Sequence, residues 1–150
     1  MGGRFDEVLE VEVSSGTQRS LMTHDAHPIA MIFDPHRSQL ITGHKDGTLR
    51  FIDPEKCDVT HVLQFHDVNI QAIALSRDGR IGISADTDGN LAVWFAETGE
   101  RIGKLASMSS RPLEFSPVKP ALVFTEKDVA FQVVYTTYDN HLATRSWRFR

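Results

Sequence analysis

The sequence is poor in the features that mark secreted, membrane-spanning and nucleotide-binding proteins. Its single cysteine, Cys57, cannot form an internal disulfide, which favours a reducing compartment, most simply the cytosol or nucleus. The sequence contains no run of about 18 apolar residues, so no membrane span is predicted. Residues 1–7 have no apolar core of the kind found in signal peptides. Residues 79–82, with a glycine at each end, lack the spacing and the following helix of a phosphate-binding loop.

The chain is also short of positive charge. Its 150 residues have a formal net charge of −4 and a pI near 5.9, which argues against a dedicated surface for polyanions. Arg145, Arg148 and Arg150 alternate with Ser146, Trp147 and Phe149 near the C-terminus. Strand geometry places the arginines at 148 and 150 on one face, which suggests a basic face that touches RNA. In an acidic chain a solvated outer strand is the better interpretation, so no direct RNA contact is expected.

Helical periodicity is absent, and short strand-like runs take its place. No segment of about 12 residues shows a stripe of apolar residues at helical spacing. Asp-Gly pairs at residues 46–47, 78–79 and 88–89 mark hairpin turns, because glycine accepts a positive φ at little cost. The predicted strands cover residues 5–13, 17–22, 29–34, 39–43, 48–53, 59–65, 70–76, 80–85, 90–95, 101–106, 113–117, 121–125, 130–138 and 142–149.

Two stretches of the chain repeat each other at a fixed offset of 42 residues, the distance from His24 to His66. Residues 24–53 match residues 66–95 without a gap. The matched polar pairs are His24 with His66, Thr42 with Ser84 and Asp46 with Asp88. A gapless repeat of about 40–45 residues built from short strands is the period of one β-propeller blade.

The repeat predicts an all-β fold, a partial β-propeller of about three and a half four-stranded blades in one domain of residues 1–150. The predicted units are a partial blade at 5–23, complete blades at 24–65 and 66–107, and a diverged partial blade at 108–150. Closed propellers contain at least about four blades. The chain is therefore expected either to be a piece of a longer protein or to complete its ring with another chain.

Four residues of the second repeat predict a buried hydrogen-bond network that braces the blade. Asp88 is expected to accept from the His66 ring, His66 to bond the Ser84 hydroxyl, and that hydroxyl to accept from the Trp94 indole N–H. Ser, His and Asp together also suggest a hydrolase triad. That interpretation is rejected because Ser84 lies within a strand, without the strained turn and oxyanion hole that a nucleophile needs. No catalytic residue and no cofactor is predicted.

The first repeat predicts a shorter network of His24, Thr42 and Asp46, because Ile52 stands where the second repeat has Trp94. Histidines at positions 24 and 27 and at 61 and 66 suggest zinc, but they have no cysteine partners, so no metal site is predicted. The remaining histidines, at positions 36, 44 and 141, are interpreted as surface or loop residues.

The His–Ser/Thr–Asp–Trp set and the 42-residue period resemble the WD-repeat propellers, although the signature dipeptide is changed to Ile52-Asp53 and Trp94-Phe95. A narrower resemblance is to the C-terminal half of the i subunit of eukaryotic translation initiation factor 3, over roughly residues 5–150. It is carried by residues 43–47, 70–78, 109–117 and 129–149. The first three blades and the final blade of that family have no counterpart in this sequence.

The narrower resemblance implies a non-catalytic scaffold subunit of a cytoplasmic initiation-factor complex. The partners it implies are the b and g subunits of the factor, and the small ribosomal subunit through the complex, with no small-molecule substrate and no membrane. A groove beside Arg77 and Arg80 is the predicted partner-binding surface, because a propeller offers a rigid rim to partner segments. The alternative is a general WD-repeat adaptor in ribosome assembly, a ubiquitin ligase or a vesicle coat.

Overall fold

The computed structural model describes residues 6–24, 27–105, 121–124, 130–136 and 142–148, with the side chains of residues 8–21 and 27–103. Every regular element in these ranges is a β-strand. The strands are β1 (Asp6–Val11), β2 (Gln18–His24), β3 (Pro28–Asp34), β4 (Gln39–His44), β5 (Thr48–Asp53), β6 (Asp58–Gln64), β7 (Ile70–Leu75), β8 (Ile81–Asp86), β9 (Leu91–Phe95), β10 (Arg101–Leu105), β11 (Ala121–Phe124), β12 (Ala130–Thr136) and β13 (Leu142–Arg148).

The strands form antiparallel sheets whose order follows the chain. β3–β4–β5–β6 and β7–β8–β9–β10 are four-stranded sheets, β1 and β2 form a two-stranded sheet, and β11–β12–β13 form a three-stranded one. In the Asp-Gly turns, Gly47 and Gly89 adopt a φ of 82° and Gly79 a φ of 69°, the left-handed region that favours glycine. The predicted all-β fold of a partial propeller is confirmed.

Predicted and observed strand ends agree to within about two residues, the usual scatter of strand and helix boundaries. The predicted strand at 113–117 lies outside the described residues. The blade boundaries themselves stay predictions, although each four-stranded sheet falls inside one predicted blade. Within the described ranges, no helix is long and apolar enough to cross a membrane.

The two four-stranded sheets pack face to face, with β7 lying against β3 and β4. The first sheet contributes Ile41, Leu49 and Phe51 to the shared core, and the second contributes Ile70 and Trp94. All five residues are at most 3% exposed. Since each sheet covers an apolar face of the other, this core depends on both sheets being present.

Turns at both ends of the sheets add hydrogen bonds across the junction. Arg37 Nη1, in the turn after β3, donates to the Gly79 carbonyl oxygen at 2.8 Å. His36 Nε2 lies 3.0 Å from the carbonyl oxygen of Arg77. At the opposite end, the backbone N–H of His66 donates to the carbonyl oxygen of Gly47 at 3.3 Å. These bonds fix the position of one sheet relative to the other.

Replacing Gly47 with alanine is expected to destabilise the protein more than the same change at Gly16. Both glycines have a positive φ, 82° and 71°, so each alanine adds left-handed strain of about 1–2 kcal/mol. At Gly47 the new Cβ also collides with the His66 carbonyl, whereas nothing lies within 4 Å of a Cβ at Gly16. Overpacking adds about 1–3 kcal/mol. Urea denaturation measures both losses, and equal losses would contradict a tight junction at Gly47.

Candidate functional site

A buried polar group lies in the second sheet, and its members His66, Ser84 and Asp86 are called the His66 cluster below. His66 Nδ1 lies 2.9 Å from Asp86 Oδ2, and His66 Nε2 lies 2.8 Å from Ser84 Oγ. Ser84 and Asp86 are two residues apart on β8, so their side chains extend from the same face of the strand. The loop between β6 and β7 carries His66 onto that face. All three residues are at most 2% exposed.

Asp86 organises the turn between β8 and β9. Its Oδ1 accepts the backbone N–H groups of Asp88 at 3.0 Å and Asn90 at 2.8 Å, and its Oδ2 accepts the Asn90 side-chain amide at 3.0 Å. Burial alone raises the pKa of Asp86, but hydrogen bonds from His66 and Asn90 outweigh burial and leave that pKa below its ordinary value. An ionised carboxylate only accepts, so His66 Nδ1 carries the ring proton, and in the neutral ring Nε2 accepts from the Ser84 hydroxyl.

The carboxylate of the cluster is Asp86, so the prediction that Asp88 bonds His66 is wrong. Asp88 is exposed in the turn, and its backbone N–H donates to Asp86. The 42-residue repeat favoured Asp88 because its counterpart in the first repeat is also an aspartate, Asp46, whereas the counterpart of Asp86 is His44. The strand period of two is the signal that identifies the correct residue, since Ser84 and Asp86 must share a face.

Trp94 does not extend the cluster either. Its side chain is fully buried, but Nε1 has no hydrogen-bond acceptor among the residues that the structure describes. The ring meets Phe51 edge-on at a centroid distance of 5.6 Å and lies tilted against Phe65 at 6.4 Å. A Cβ on Gly82 would collide with the same ring. The indole is therefore a packing group between the sheets, and the predicted hydrogen bond to Ser84 is wrong.

The first sheet contains a different buried pair, Thr42 and His44. Thr42 Oγ1 lies 2.8 Å from His44 Nε2, and both residues are fully buried. The interpretation of His44 as a surface or loop residue is therefore wrong. Asp46 is exposed in the next turn and accepts from Thr48 Oγ1 at 2.6 Å, so its predicted place in a buried network is wrong too. The side chain of His24 lies outside the described part.

An open groove of about 740 Å³ lies where the turn after β7 meets the turn after β9. This rim groove is lined in part by Arg37, Asp78, Arg80, Ile81 and Phe95. Arg80 Nε donates to Asp78 Oδ2 at 2.8 Å, yet 78% of the Arg80 side chain is exposed. Phe95 is 43% exposed, which is high for an aromatic residue.

Charges in the rim groove are partly compensated. The backbone N–H of Arg80, the Ser76 hydroxyl and the Arg80 guanidinium hold the pKa of Asp78 well below its usual range. Arg37 pairs with the buried Asp34 at 3.1 Å. Arg77, predicted to bind partners together with Arg80, is exposed in the turn after β7, but it is not among the residues that line the groove.

Metal-binding clusters are absent from the described side chains, where no group of three or more His, Cys, Asp or Glu is placed to hold an ion. Cys57 is partly buried in the turn after β5, and its Sγ lies 3.7 Å from the Pro54 carbonyl oxygen.

The chain belongs to the WD40 repeat family. The WD domain, G-beta repeat, matches residues 17–53 and 57–94, together half of the 150 residues. Each matched segment begins at the outer strand of one sheet and ends at the third strand of the next, so it covers β2–β5 and β6–β9. The boundaries of the sequence repeat therefore differ by one strand from those of the sheets. As a result, each repeat contributes strands to two neighbouring sheets.

The chain is similar to parts of longer proteins and spans only a small share of the length of each. It is 28% identical over 98 residues to NACHT domain- and WD repeat-containing protein 1 of Mus musculus, covering 65% of this chain and 6% of that protein. It is 30% identical over 79 residues to WD repeat-containing protein 90 of Mus musculus, covering 53% and 4%. It is 33% identical over 101 residues to Autophagy-related protein 16 of Arabidopsis thaliana, covering 66% and 20%. None of these three names is that of an initiation-factor subunit.

Alanine at Asp86 is expected to destabilise the protein, whereas alanine at Asp88 is not. Asp86→Ala leaves the buried His66 ring and the Asn90 amide without their acceptor, at a cost of about 1–3 kcal/mol. Asp88→Ala keeps the backbone N–H that bonds Asp86, so its effect should stay within about 0.5 kcal/mol. Urea denaturation of both variants measures the two free energies of unfolding. A larger loss for Asp88→Ala would restore the original assignment.

Stability is expected to fall on acidification, in part through Asp86. Its pKa is lowered in the folded state, so its contribution is present above the unfolded value of about 3.9 and is lost as the pH falls through the folded value. The loss caused by Asp86→Asn should therefore be largest near neutral pH and should shrink as the pH falls below about 4. Denaturation of wild type and variant at several pH values measures this difference, and a constant difference would contradict it.

Proposed function

We propose that this chain is a non-catalytic part of a WD-repeat scaffold that holds partner proteins on the rim of its propeller. The observation that supports it best is the contrast between two sites. The His66 cluster, which has the residue types of a catalytic triad, is closed to solvent. The rim groove, which has no catalytic set, is open and combines an exposed aromatic residue with exposed charge.

The burial of the His66 cluster distinguishes it from a catalytic site. Ser84 Oγ, the two ring nitrogens of His66 and the Asp86 carboxylate follow one another in the order of a serine hydrolase triad. A nucleophile must reach a carbonyl carbon, however, and Ser84 is 0% exposed in the middle of β8. Ser84 also lacks the exposed strand-to-helix turn on which such a serine sits. The cluster therefore fits a structural role, satisfying polar groups inside a blade.

The rim groove has the chemistry of a protein-binding surface. Aromatic residues and arginine are enriched at the centres of protein interfaces, and this groove offers Phe95 beside Arg37 and Arg80. Asp78 engages the Nε of Arg80, which leaves the Nη groups of that exposed side chain for an acceptor on a partner. An acidic partner segment with an apolar residue for Phe95 would suit this surface.

The narrower proposal is a scaffold subunit of eukaryotic translation initiation factor 3, with the b and g subunits as partners in the cytoplasm. It rests on the resemblance of residues 43–47, 70–78, 109–117 and 129–149. The second candidate is a WD-repeat adaptor in another complex, and the relatives favour it, since their names identify WD-repeat or autophagy proteins.

Affinity capture from a eukaryotic cell extract separates these candidates. Enrichment of the b and g subunits supports the initiation-factor proposal, and enrichment of another defined complex supports the adaptor. For either partner, Arg80→Glu is expected to reduce recovery about fivefold, equivalent to ~1 kcal/mol.

Lys56→Glu is the matched control, because Lys56 is also an exposed cation paired with an aspartate, Asp53, at 2.9 Å. It does not line the rim groove. Equal loss of the partner from both variants would show that overall charge matters and not this groove. Hydrolytic turnover by the wild type that Ser84→Ala abolishes, with folding intact, would overturn the non-catalytic proposal.

A further inference from the structure

The rim groove has a counterpart in the first sheet, and the two differ in chemistry. The counterpart is a groove of about 250 Å³ beside the turns after β3 and β5. Four of its lining residues are Ser38, Gln39, Asp53 and Glu55. At the 42-residue offset the corresponding residues, which line the rim groove, are Arg80, Ile81, Phe95 and Glu97. The repeat therefore produces the same surface twice, polar in the first sheet and partly apolar in the second.

Asp53 has a local structural role that its counterpart Phe95 cannot take over. Asp53 Oδ1 accepts the backbone N–H groups of Glu55 at 3.0 Å and Lys56 at 3.2 Å, so the carboxylate stabilises the turn after β5. Phenylalanine has no side-chain acceptor. At position 95 the repeat has therefore exchanged a turn-stabilising carboxylate for an aromatic ring.

The turn after β9 keeps the course of its counterpart without an aspartate. Gly99 has a φ of 69°, and Cys57, at the same position of the first repeat, has a φ of 55°. In the second turn the backbone N–H of Glu100 donates to Thr98 Oγ1 at 3.2 Å. Phe95 makes no side-chain hydrogen bond in its turn, and 43% of the residue is exposed. A residue that departs from a local structural rule and stays exposed marks a functional position.

The second sheet has neighbours before and after it in the chain. β7 packs against β3 and β4, and β11 packs against β7 and β8. Phe95 is exposed beside these neighbours because it lies at the end of β9, where the chain turns towards β10. Its exposure is therefore a property of the rim and not of an unpaired sheet.

Ile81 and Phe95 form the apolar floor of the rim groove. They stand directly opposite each other in the register of β8 and β9. Residues paired in this way have Cβ atoms about 4.5–5.5 Å apart, so the two side chains form one continuous apolar surface. Arg80 directly precedes Ile81 and brings a cation to the edge of that surface.

Charge decides which class of partner suits the rim groove. The charged residues that line it are Arg37, Arg80, Asp78, Glu97 and Glu100. Phosphate groups of a nucleic acid or an anionic lipid would meet three carboxylates as well as the two arginines, so both are poor ligands. A protein segment, which can place one acidic residue near Arg80 and an uncharged residue elsewhere, fits this mixture.

We propose that the rim groove recognises a peptide segment in which an acidic residue adjoins a large apolar residue, and that Phe95 determines this specificity. The apolar side chain lies on Phe95 and Ile81, and the carboxylate pairs with Arg80. This inference rests on the proposed scaffold function and names the chemistry of the partner at the same site.

The probe is a phage-displayed library of random peptides, selected on the immobilised 150-residue protein after depletion on its Phe95→Asp variant. The enriched peptides are expected to share an acidic residue next to leucine, isoleucine, methionine or phenylalanine. One enriched peptide is synthesised with a fluorophore, and its anisotropy should show saturable binding to the wild type. Replacing its acidic residue with the matching amide should weaken binding about threefold, the effect of one exposed ion pair.

Substitutions at position 95 test the role of the ring. Phe95→Asp should weaken binding of the peptide about tenfold or more, because the apolar side chain would then cover a carboxylate. Phe95→Leu should stay within about threefold of the wild type, since it keeps an apolar surface. The aspartate is compatible with the fold, because Asp53 occupies the same position of the first repeat. A cooperative unfolding transition in urea confirms that each variant is folded.

Val62→Asp is the matched control. Val62 is 55% exposed on β6 and does not line the rim groove. The variant loses an exposed apolar side chain and gains the same charge as Phe95→Asp, so it should bind the peptide within about twofold of the wild type, a difference well under 1 kcal/mol.

Four outcomes would overturn the proposal. They are no enriched peptide that binds folded wild type, enriched peptides without an acidic residue beside an apolar one, an equal effect of Phe95→Asp and Val62→Asp, and self-association of the wild type that Phe95→Asp abolishes. The last would identify a second copy of the chain as the occupant.

Failure of this inference is distinct from failure of the proposed function. In the capture from cell extract, loss of the partner from Arg80→Glu with full recovery by Phe95→Asp would keep the rim groove as the binding surface and remove Phe95 as its specificity residue. Full recovery by both variants would remove the groove itself.

Discussion

The packing of β7 against β4 is the contact on which the rest of the structure depends. It requires a glycine, because a Cβ at position 43 would lie 2.6 Å from Ile70 Cγ2 and 3.1 Å from Ile73 Cδ1. With β4 and β7 this close, the rings of Phe51 and Trp94 meet edge to face within the core that the two sheets share. A blade has no way to cover this face with its own residues, so stability resides in the junction between neighbouring blades.

His66 connects that junction to the polar interior of the second sheet. Its backbone N–H bonds Gly47 of the first sheet, while its ring bonds Ser84 and Asp86 of the second. The Gln64 side chain donates to the carbonyl oxygen of His66 at 2.6 Å, so the loop residue is held at every polar atom. A buried group of this kind is stable only when fully satisfied. The His66 cluster therefore specifies the position of the loop between blades as well as the internal order of one blade.

The sequence was sufficient for the strands, the turns and the participation of His66 and Ser84, because these follow from periodicity, glycine placement and a repeat that preserves residue types. It was not sufficient to identify the carboxylate that accepts the hydrogen bond from His66. Asp86 and Asp88 are two residues apart in one turn, and only the strand face shared with Ser84 separates them. The burial of His44 was missed for a related reason, since its partner Thr42 also lies two residues away on one strand.

Trp94 illustrates a limit of a different kind. A tryptophan ten residues after Ser84 in the same repeat suggested a hydrogen-bond donor, but the ring is positioned by the shape of its surroundings, with Gly82 beneath it and Phe51 at its edge. Whether an indole donates a hydrogen bond or only packs against other side chains depends on neighbours from another blade. No local pattern in the sequence contains that information.

The same junction also orders the rim groove, the surface proposed to bind partners. The turn after β7, which borders the rim groove, is already fixed by Arg37, which bonds Asp34 and Gly79, and by His36, which contacts Arg77. A surface ordered before the partner arrives loses little conformational entropy on binding, so modest contacts to Phe95 and Arg80 can yield useful affinity.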